Sequence, residues 1–249
     1  MADRSVRVAM WSGPRNISTA LLRSFGSRTD TFVCDEPFYA RYLQLTGLRH
    51  PGYEEILRAH ATDFGEIVRW LTGPVPEGKA VFYQKHMAHH VLPGDDIAWI
   101  DGVRNCFLIR DPLEMITSYV KIVPDPRPEQ LGLPQEVAMF ERVRARTGRA
   151  PPVVDARDVL EDPRGVLAAL CQRVGIPFDE RMLRWEPGPR PTDGVWGPHW
   201  YGAVYKSKGF DPYKRKDEPL PPGLENTYEE CQRLYRILHQ HRITHAAEV

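Results

Sequence analysis

This chain has no net charge. Its 249 residues carry 33 lysines and arginines against 33 aspartates and glutamates, and the pI is about 7.1. A chain without net charge has no long-range attraction for a polyanion, so neither a nucleic acid nor an anionic membrane surface is expected as a partner. A local basic pocket is compatible with that balance. Long apolar runs are missing too: none approaches the roughly 18 residues of a membrane-spanning helix. The start, Met1-Ala-Asp-Arg-Ser5, leads into an apolar run too short for a signal-peptide core. Cysteine is scarce, and Cys34, Cys106, Cys171 and Cys231 stand far apart with no CxxC pair. The first three lie in apolar segments and read as reduced, buried thiols of a cytoplasmic protein, not as zinc ligands. Carboxylates clustered at metal-ligand spacing are also absent, so no metal is expected.

What is present suits one globular α/β domain. Hydrophobic residues make up 42% of the chain, enough for a sizeable core at this length. The 23 prolines concentrate in residues 124–134, 151–152, 187–191 and 219–222, which read as ordered turns. Short β-like runs recur at Ser5–Trp11, Thr31–Cys34, Ala80–Gln84, Cys106–Ile109 and Pro152–Asp155. Helical periods fall between them, at Ile17–Ser27, Tyr53–Leu71, Leu113–Val120, Gln135–Arg146 and Pro163–Val174. A last helix, from about Leu224 to His241, carries Tyr228, Cys231, Leu234, Tyr235 and Leu238 on one stripe. Strands alternating with helices predict a central parallel sheet covered on both faces, a single three-layer domain over 1–249. Its core spans about 5–175, and a C-terminal loop and helix, 185–245, pack on it. Ligands of such sheets bind beyond the carboxyl ends of the strands.

The residues just past each strand therefore carry the functional argument. Ser12-Gly-Pro-Arg-Asn-Ile-Ser-Thr19 turns the first strand into the first helix. Such a turn aims backbone N–H groups and a helix N-terminus at one point, a geometry suited to phosphate or sulfate. Ser18 and Thr19 add hydroxyls and Arg15 a charged fork. An ordinary helix start after a tight turn fits the same residues. The GxxxxGK[ST] pattern is absent, which argues against a phosphotransferase using the usual Lys and Mg²⁺. The fourth strand ends at Arg110, and Ser118 follows on the next helix. Together they could clamp one phosphate, or Arg110 could simply pair with Asp111 or Glu114.

Together these segments resemble the sulfotransferases that use 3′-phosphoadenosine 5′-phosphosulfate (PAPS). Trp11-Ser-Gly-Pro-Arg-Asn-Ile-Ser-Thr-Ala-Leu-Leu-Arg-Ser-Phe25 is similar to the family's 5′-phosphosulfate loop, and Phe107-Leu-Ile-Arg-Asp-Pro-Leu-Glu-Met-Ile-Thr-Ser-Tyr119 to its 3′-phosphate segment. The resemblance covers about residues 6–175 and looks most like a bacterial-type subfamily. It implies the P-loop NTPase-like topology of sulfotransferases, a PAPS donor held by residues 12–19, Arg110 and Ser118, and a small-molecule acceptor. Cys34-Asp-Glu-Pro-Phe38 is similar to the Glu-Pro motif of the carbohydrate branch, which implies Glu36 as general base. Tyr83-Gln-Lys-His86 is similar to the Lys-Thr-His segment of the cytosolic branch, which implies His86 as the rival base.

Departures from the family pattern sharpen these expectations. Arg15 stands where many members have lysine. His86 falls one residue early against the Lys-Thr-His pattern, which favours Glu36. The late Arg-Lys-Gly of the cytosolic branch is missing, and Lys206-Ser207-Lys208-Gly209 offers two cations, a hydroxyl and a glycine in its place. Arg15 and Lys85 would neutralise the leaving group as charge develops there. His86 and His90 stand at helical i, i+4 spacing, but Met87 replaces the glutamate of HExxH. Trp185, Trp196, His199, Trp200 and Tyr201 crowd a Pro/Gly-rich stretch and could face an acceptor or pack on the sheet. The competing reading from another class is a catalytically silent nucleotide- or anion-binding protein on the same fold.

Overall fold

The computed structural model describes residues 5–244. The reading of Met1 to Arg4, and His245 at the end of the expected tail, lie outside the described residues. Five strands form one sheet: β1 (Val6–Ser12), β2 (Thr31–Asp35), β3 (Val81–Met87), β4 (Arg104–Ile109) and β5 (Val153–Asp155). All pairings are parallel, in the order β2-β3-β1-β4-β5. The helices are α1 (Ser18–Gly26), α2 (Tyr39–Thr46), α3 (Tyr53–Ala59), α4 (Phe64–Thr72), α5 (Pro112–Tyr119), α6 (Pro128–Leu131), α7 (Leu133–Thr147), α8 (Ala156–Glu161), α9 (Pro163–Val174), α10 (Gly197–Trp200) and α11 (Glu225–His239).

Both sheet faces are covered, which is why the strands read as continuous apolar runs. Side chains alternate along β1. Val8 and Met10 pack with Leu21, Leu22 and Phe25 of α1 and Leu167 and Leu170 of α9. Ala9 and Trp11 pack on the opposite face with Ile116 of α5, Phe140 of α7 and Leu234 of α11. Each such fully buried side chain contributes about 1.5–3 kcal/mol through lost contact with water. Helix ends follow local chemistry. Asp162 accepts from the Gly165 N–H, Pro163 opens α9, and Gly175 ends it at φ 77°.

Two helical expectations are corrected. The period over Tyr53–Leu71 is two helices, because His60 is extended and the Asp63 carboxylate caps a new start by accepting from the Glu66 N–H. His86 and His90 do not share a helix: His86 belongs to β3, and Ala88–His90 form a separate 3-10 turn. The expected sequence of strands otherwise matches within a few residues. No helix among the described residues is long and apolar enough to cross a membrane.

Candidate active site

Four of the five strands point their carboxyl ends at one cavity of about 430 Å³. Its floor is the loop after β1. Pro14 to Ala20 line it, while Ser12 is fully buried beneath and Gly13 is wedged against α6 and α5. A Cβ on Gly13 would sit 2.3 Å from the Leu131 carbonyl oxygen and 2.6 Å from the Met115 methyl carbon. Only glycine lets the backbone pass there. Asn16 donates from Nδ2 to the Leu108 carbonyl at 2.9 Å, tying the loop to β4. Its Oδ1 accepts from the Ile17 N–H. No side chain caps the N-terminus of α1, so its first N–H groups remain for a ligand, beside Ser18 and Thr19.

Two guanidinium groups meet over this loop. Arg15, held at φ 58°, donates from Nε to the Ser118 hydroxyl at 3.0 Å. Arg110 donates from Nη1 to the Arg15 carbonyl at 2.8 Å. Burial and then the neighbouring Arg110 charge push the Arg15 pKa down. Arg110 also grips Glu114 Oε2 through Nε at 2.9 Å and Nη2 at 2.6 Å, so the pairing anticipated as an alternative is present as well. Tyr213 donates to the other oxygen of Glu114 at 2.6 Å. The set carries two cations and one carboxylate, which leaves it net positive and suited to an anion.

Glu36 and Lys85 line the same cavity. Asp35 and Lys85 are register partners in the parallel pairing of β2 with β3. Glu36 follows in a left-handed turn at φ 43°, a conformation that costs about 1–3 kcal/mol and clusters at functional sites. Lys85 Nζ donates to Asp35 Oδ1 at 2.8 Å, Glu36 Oε1 at 2.7 Å and the Tyr201 hydroxyl at 2.8 Å. Burial, and then the Asp35 charge, raises the Glu36 pKa against the opposing pull of Lys85. Burial alone would lower Lys85, but the two carboxylates outweigh it and raise its pKa. Tyr39, His89, His90, Tyr119, Trp200 and Tyr201 also line it. Burial pushes His89 down to about 3 and Tyr119 up to about 12, so this wall is uncharged near neutral pH.

Residues 6–226 match the Sulfotransferase domain family. The chain belongs to that family. A branched-chain-amino-acid aminotransferase-like protein of Arabidopsis thaliana is 36% identical over 93% of this chain, which spans only 41% of that relative's length. The fold is similar to the sulfotransferase domain of a Synechococcus olefin synthase, with a TM-score of 0.56 at 17% identity over 96% of this chain and 97% of that one. It is equally similar to a sulfotransferase from Alicyclobacillus acidocaldarius, with a TM-score of 0.55 at 16% identity over 97% and 98%. The five-stranded parallel sheet is thus the P-loop-like sheet of sulfotransferases.

Within this sulfotransferase fold some expected site residues stand elsewhere. His86 is a correction. It follows Lys85 in the same strand, so the two side chains leave opposite faces of the sheet. His86 is 1% exposed, stacks on Trp11 at 4.3 Å and does not line the cavity. Burial lowers its pKa to about 3. Ser207 and Gly209 do line the cavity, but the exposed Lys206 does not. Lys208 lines a second, larger cavity of about 950 Å³ along the outer edge of β2, away from the strand ends. Trp185 and Trp196 pack as buried side chains. Sequence reasoning missed Tyr213, gave Asp35 no role beyond its strand-end place before the Glu-Pro pair, and left Tyr201 undecided between facing an acceptor and packing. Among the described residues, no group of three or more His, Cys, Asp or Glu is placed to hold a metal.

Proposed function

We propose that this chain moves a sulfuryl group from PAPS to a hydroxyl or amine of a small acceptor. The observation that carries the reading is the convergence, in one cavity, of an uncapped helix start, a net-positive Arg15–Arg110–Ser118 set and the half-buried Glu36 carboxylate. Residues 14–19 would hold the phosphosulfate, with Arg110 and Ser118 on the 3′-phosphate and Ser207 and Gly209 closing the nucleotide side. The Arg15 guanidinium, lowered by burial and by the Arg110 charge beside it, gains from an arriving anion. The donor supplies the sulfuryl group. Glu36 takes the acceptor's proton as the acceptor oxygen bonds to sulfur and the S–O bond to phosphate breaks. Arg15 and the loop N–H groups neutralise charge on the leaving phosphate. Positioning and fixed charge account for the chemistry with no metal in these steps. His86 has no part in this route. Four buried cysteines without disulfides fit a reducing, cytoplasmic location.

The test combines binding with turnover. Adenosine 3′,5′-bisphosphate raises the melting temperature, and labelled PAPS transfers its sulfuryl group to members of a panel of alcohols, phenols and amines. A thermal shift without turnover across the panel assigns a silent nucleotide binder instead. No shift at millimolar ligand overturns the reading.

A further inference from the structure

We propose that Asp35 and Tyr201 are positioning residues that, through Lys85, hold one carboxylate oxygen of Glu36 and leave the other open to the cavity. The inference rests on the reading of Glu36 as the group that takes the acceptor's proton. It follows from counting donors. An ammonium has three N–H bonds, and Lys85 spends them on Asp35 Oδ1, Glu36 Oε1 and the Tyr201 oxygen. No N–H remains for a sulfuryl oxygen, so Lys85 does not act on the donor as its place in the sequence suggested. The Tyr201 hydroxyl is equally committed. Its one proton goes to Asp35 Oδ2 at 2.6 Å, and its oxygen accepts from Lys85 and from Trp196 Nε1 at 2.9 Å. The 3.4 Å contact from Tyr201 to Glu36 Oε1 is therefore left without a proton.

Asp35 receives three donors, because the Gly194 N–H adds to Oδ2 at 3.2 Å. Glu36 receives one side-chain donor, on Oε1, and Oε2 has none among the described residues. Two carboxylates share one ammonium in a site where Lys85 and Asp35 side chains are each 1% exposed. The excess negative charge therefore falls on the carboxylate with fewer donors and an open oxygen, which is Glu36. Asp35 is what prevents Lys85 from being consumed by Glu36 alone.

Other groups facing the cluster do not change charge near neutral pH. Tyr39 of α2 and Tyr201 are raised by burial and the nearby carboxylates. His90 stands near Lys85 and His60 near Asp35, and burial holds both neutral.

The test is the titration of the Glu36 carboxyl by carbon-13 NMR, its resonance identified by its loss in Glu36→Gln. Asp35→Asn leaves Lys85 to Glu36 alone and moves the titration down by about one unit or more, as a nearby unshared cation does. Tyr201→Phe takes a donor from Asp35, draws Lys85 toward it and moves the titration up. The acidic limb of kcat shifts the same way in each variant, while KM for PAPS stays unchanged. Shifts of opposite sign are a signature that loss of packing does not produce. A folded variant with an unmoved titration, or both variants moving in one direction, overturns the proposal. If Asp35→Asn does not fold, an upward shift in Tyr201→Phe supports the proposal and an unmoved or downward one overturns it. The titration needs no turnover, so an enzyme inert toward PAPS sinks the sulfotransfer reading while the positioning is still decided.

Discussion

Arg15 and Ser118, 103 positions apart, meet at 3.0 Å. That one hydrogen bond joins the loop after β1 to the helix after β4, the two segments that the sequence motifs single out separately. Arg110 closes the same corner from the end of β4 by donating to the Arg15 carbonyl. An anion bound there would touch side chains from two motifs at once and relieve the repulsion between the two guanidiniums.

Arg110→Ala removes a charged partner of that anion and is expected to weaken adenosine 3′,5′-bisphosphate by about 10- to 100-fold, the range of about 1.5–3 kcal/mol for charge-assisted hydrogen bonds. Ser118→Ala removes a neutral donor and costs about 2- to 10-fold. Calorimetric titration of both variants checks the order. Equal losses would place the 3′-phosphate away from Arg110.

Glu36→Gln keeps the shape of the side chain and removes the base. Its kcat is expected to fall by about 10²- to 10⁴-fold, the usual weight of general base catalysis, with donor affinity kept. The wild-type rate is expected to rise with pH through the Glu36 pKa. Burial raises that pKa, so the acidic limb lies above the ordinary glutamate range. A pH–rate profile that is flat across that range removes Glu36 from the role.

The fold was legible where the signal is local. Alternation and periodicity found the five strands, and the loop from Pro14 to Thr19 was recognisable because neighbours in sequence are neighbours in the site. The base was harder. Glu36 and His86 were both plausible from motif likeness, yet His86 follows the cavity-lining Lys85 in one strand, and consecutive strand residues face opposite sides, so His86 cannot reach the cavity. Extending β2 by one residue, from Cys34 to Asp35, sets Asp35 beside Lys85 in register. Tyr201 and Tyr213 reach the site from an irregular stretch, where no period reveals which ring turns inward. Their roles depend on hydrogen bonds across 166 and 99 positions.

His86→Ala separates core from catalysis. Its ring stacks on Trp11 and sits near Phe38 and Trp99, with no atom on the cavity. The truncation leaves a void and is expected to cost about 2–4 kcal/mol of stability, within the range of buried large-to-small changes. The folded fraction keeps its kcat. Urea unfolding with active-site-normalised rates checks both halves, and a stable variant that loses turnover would return His86 to the reaction.

Glu136 gives a test that needs no ligand. It lies in the first turn of α7, 1% exposed, with Oε2 unpartnered, and burial pushes its pKa well above the ordinary value against the opposing pull of the Gly13 N–H. The folded state therefore binds a proton that the unfolded chain has already released. The stability tied to this proton is complete below the unfolded pKa of about 4.3. It falls away as pH rises from there through the folded-state pKa. Glu136→Gln mimics the protonated acid at every pH and removes that loss. The variant is expected to match or fall below the wild type near about pH 4, and to melt higher than it at neutral pH and above. Thermal unfolding across a pH series reads the difference directly. A gap that stays constant with pH would mean that Glu136 is not held protonated beneath the Gly13 turn.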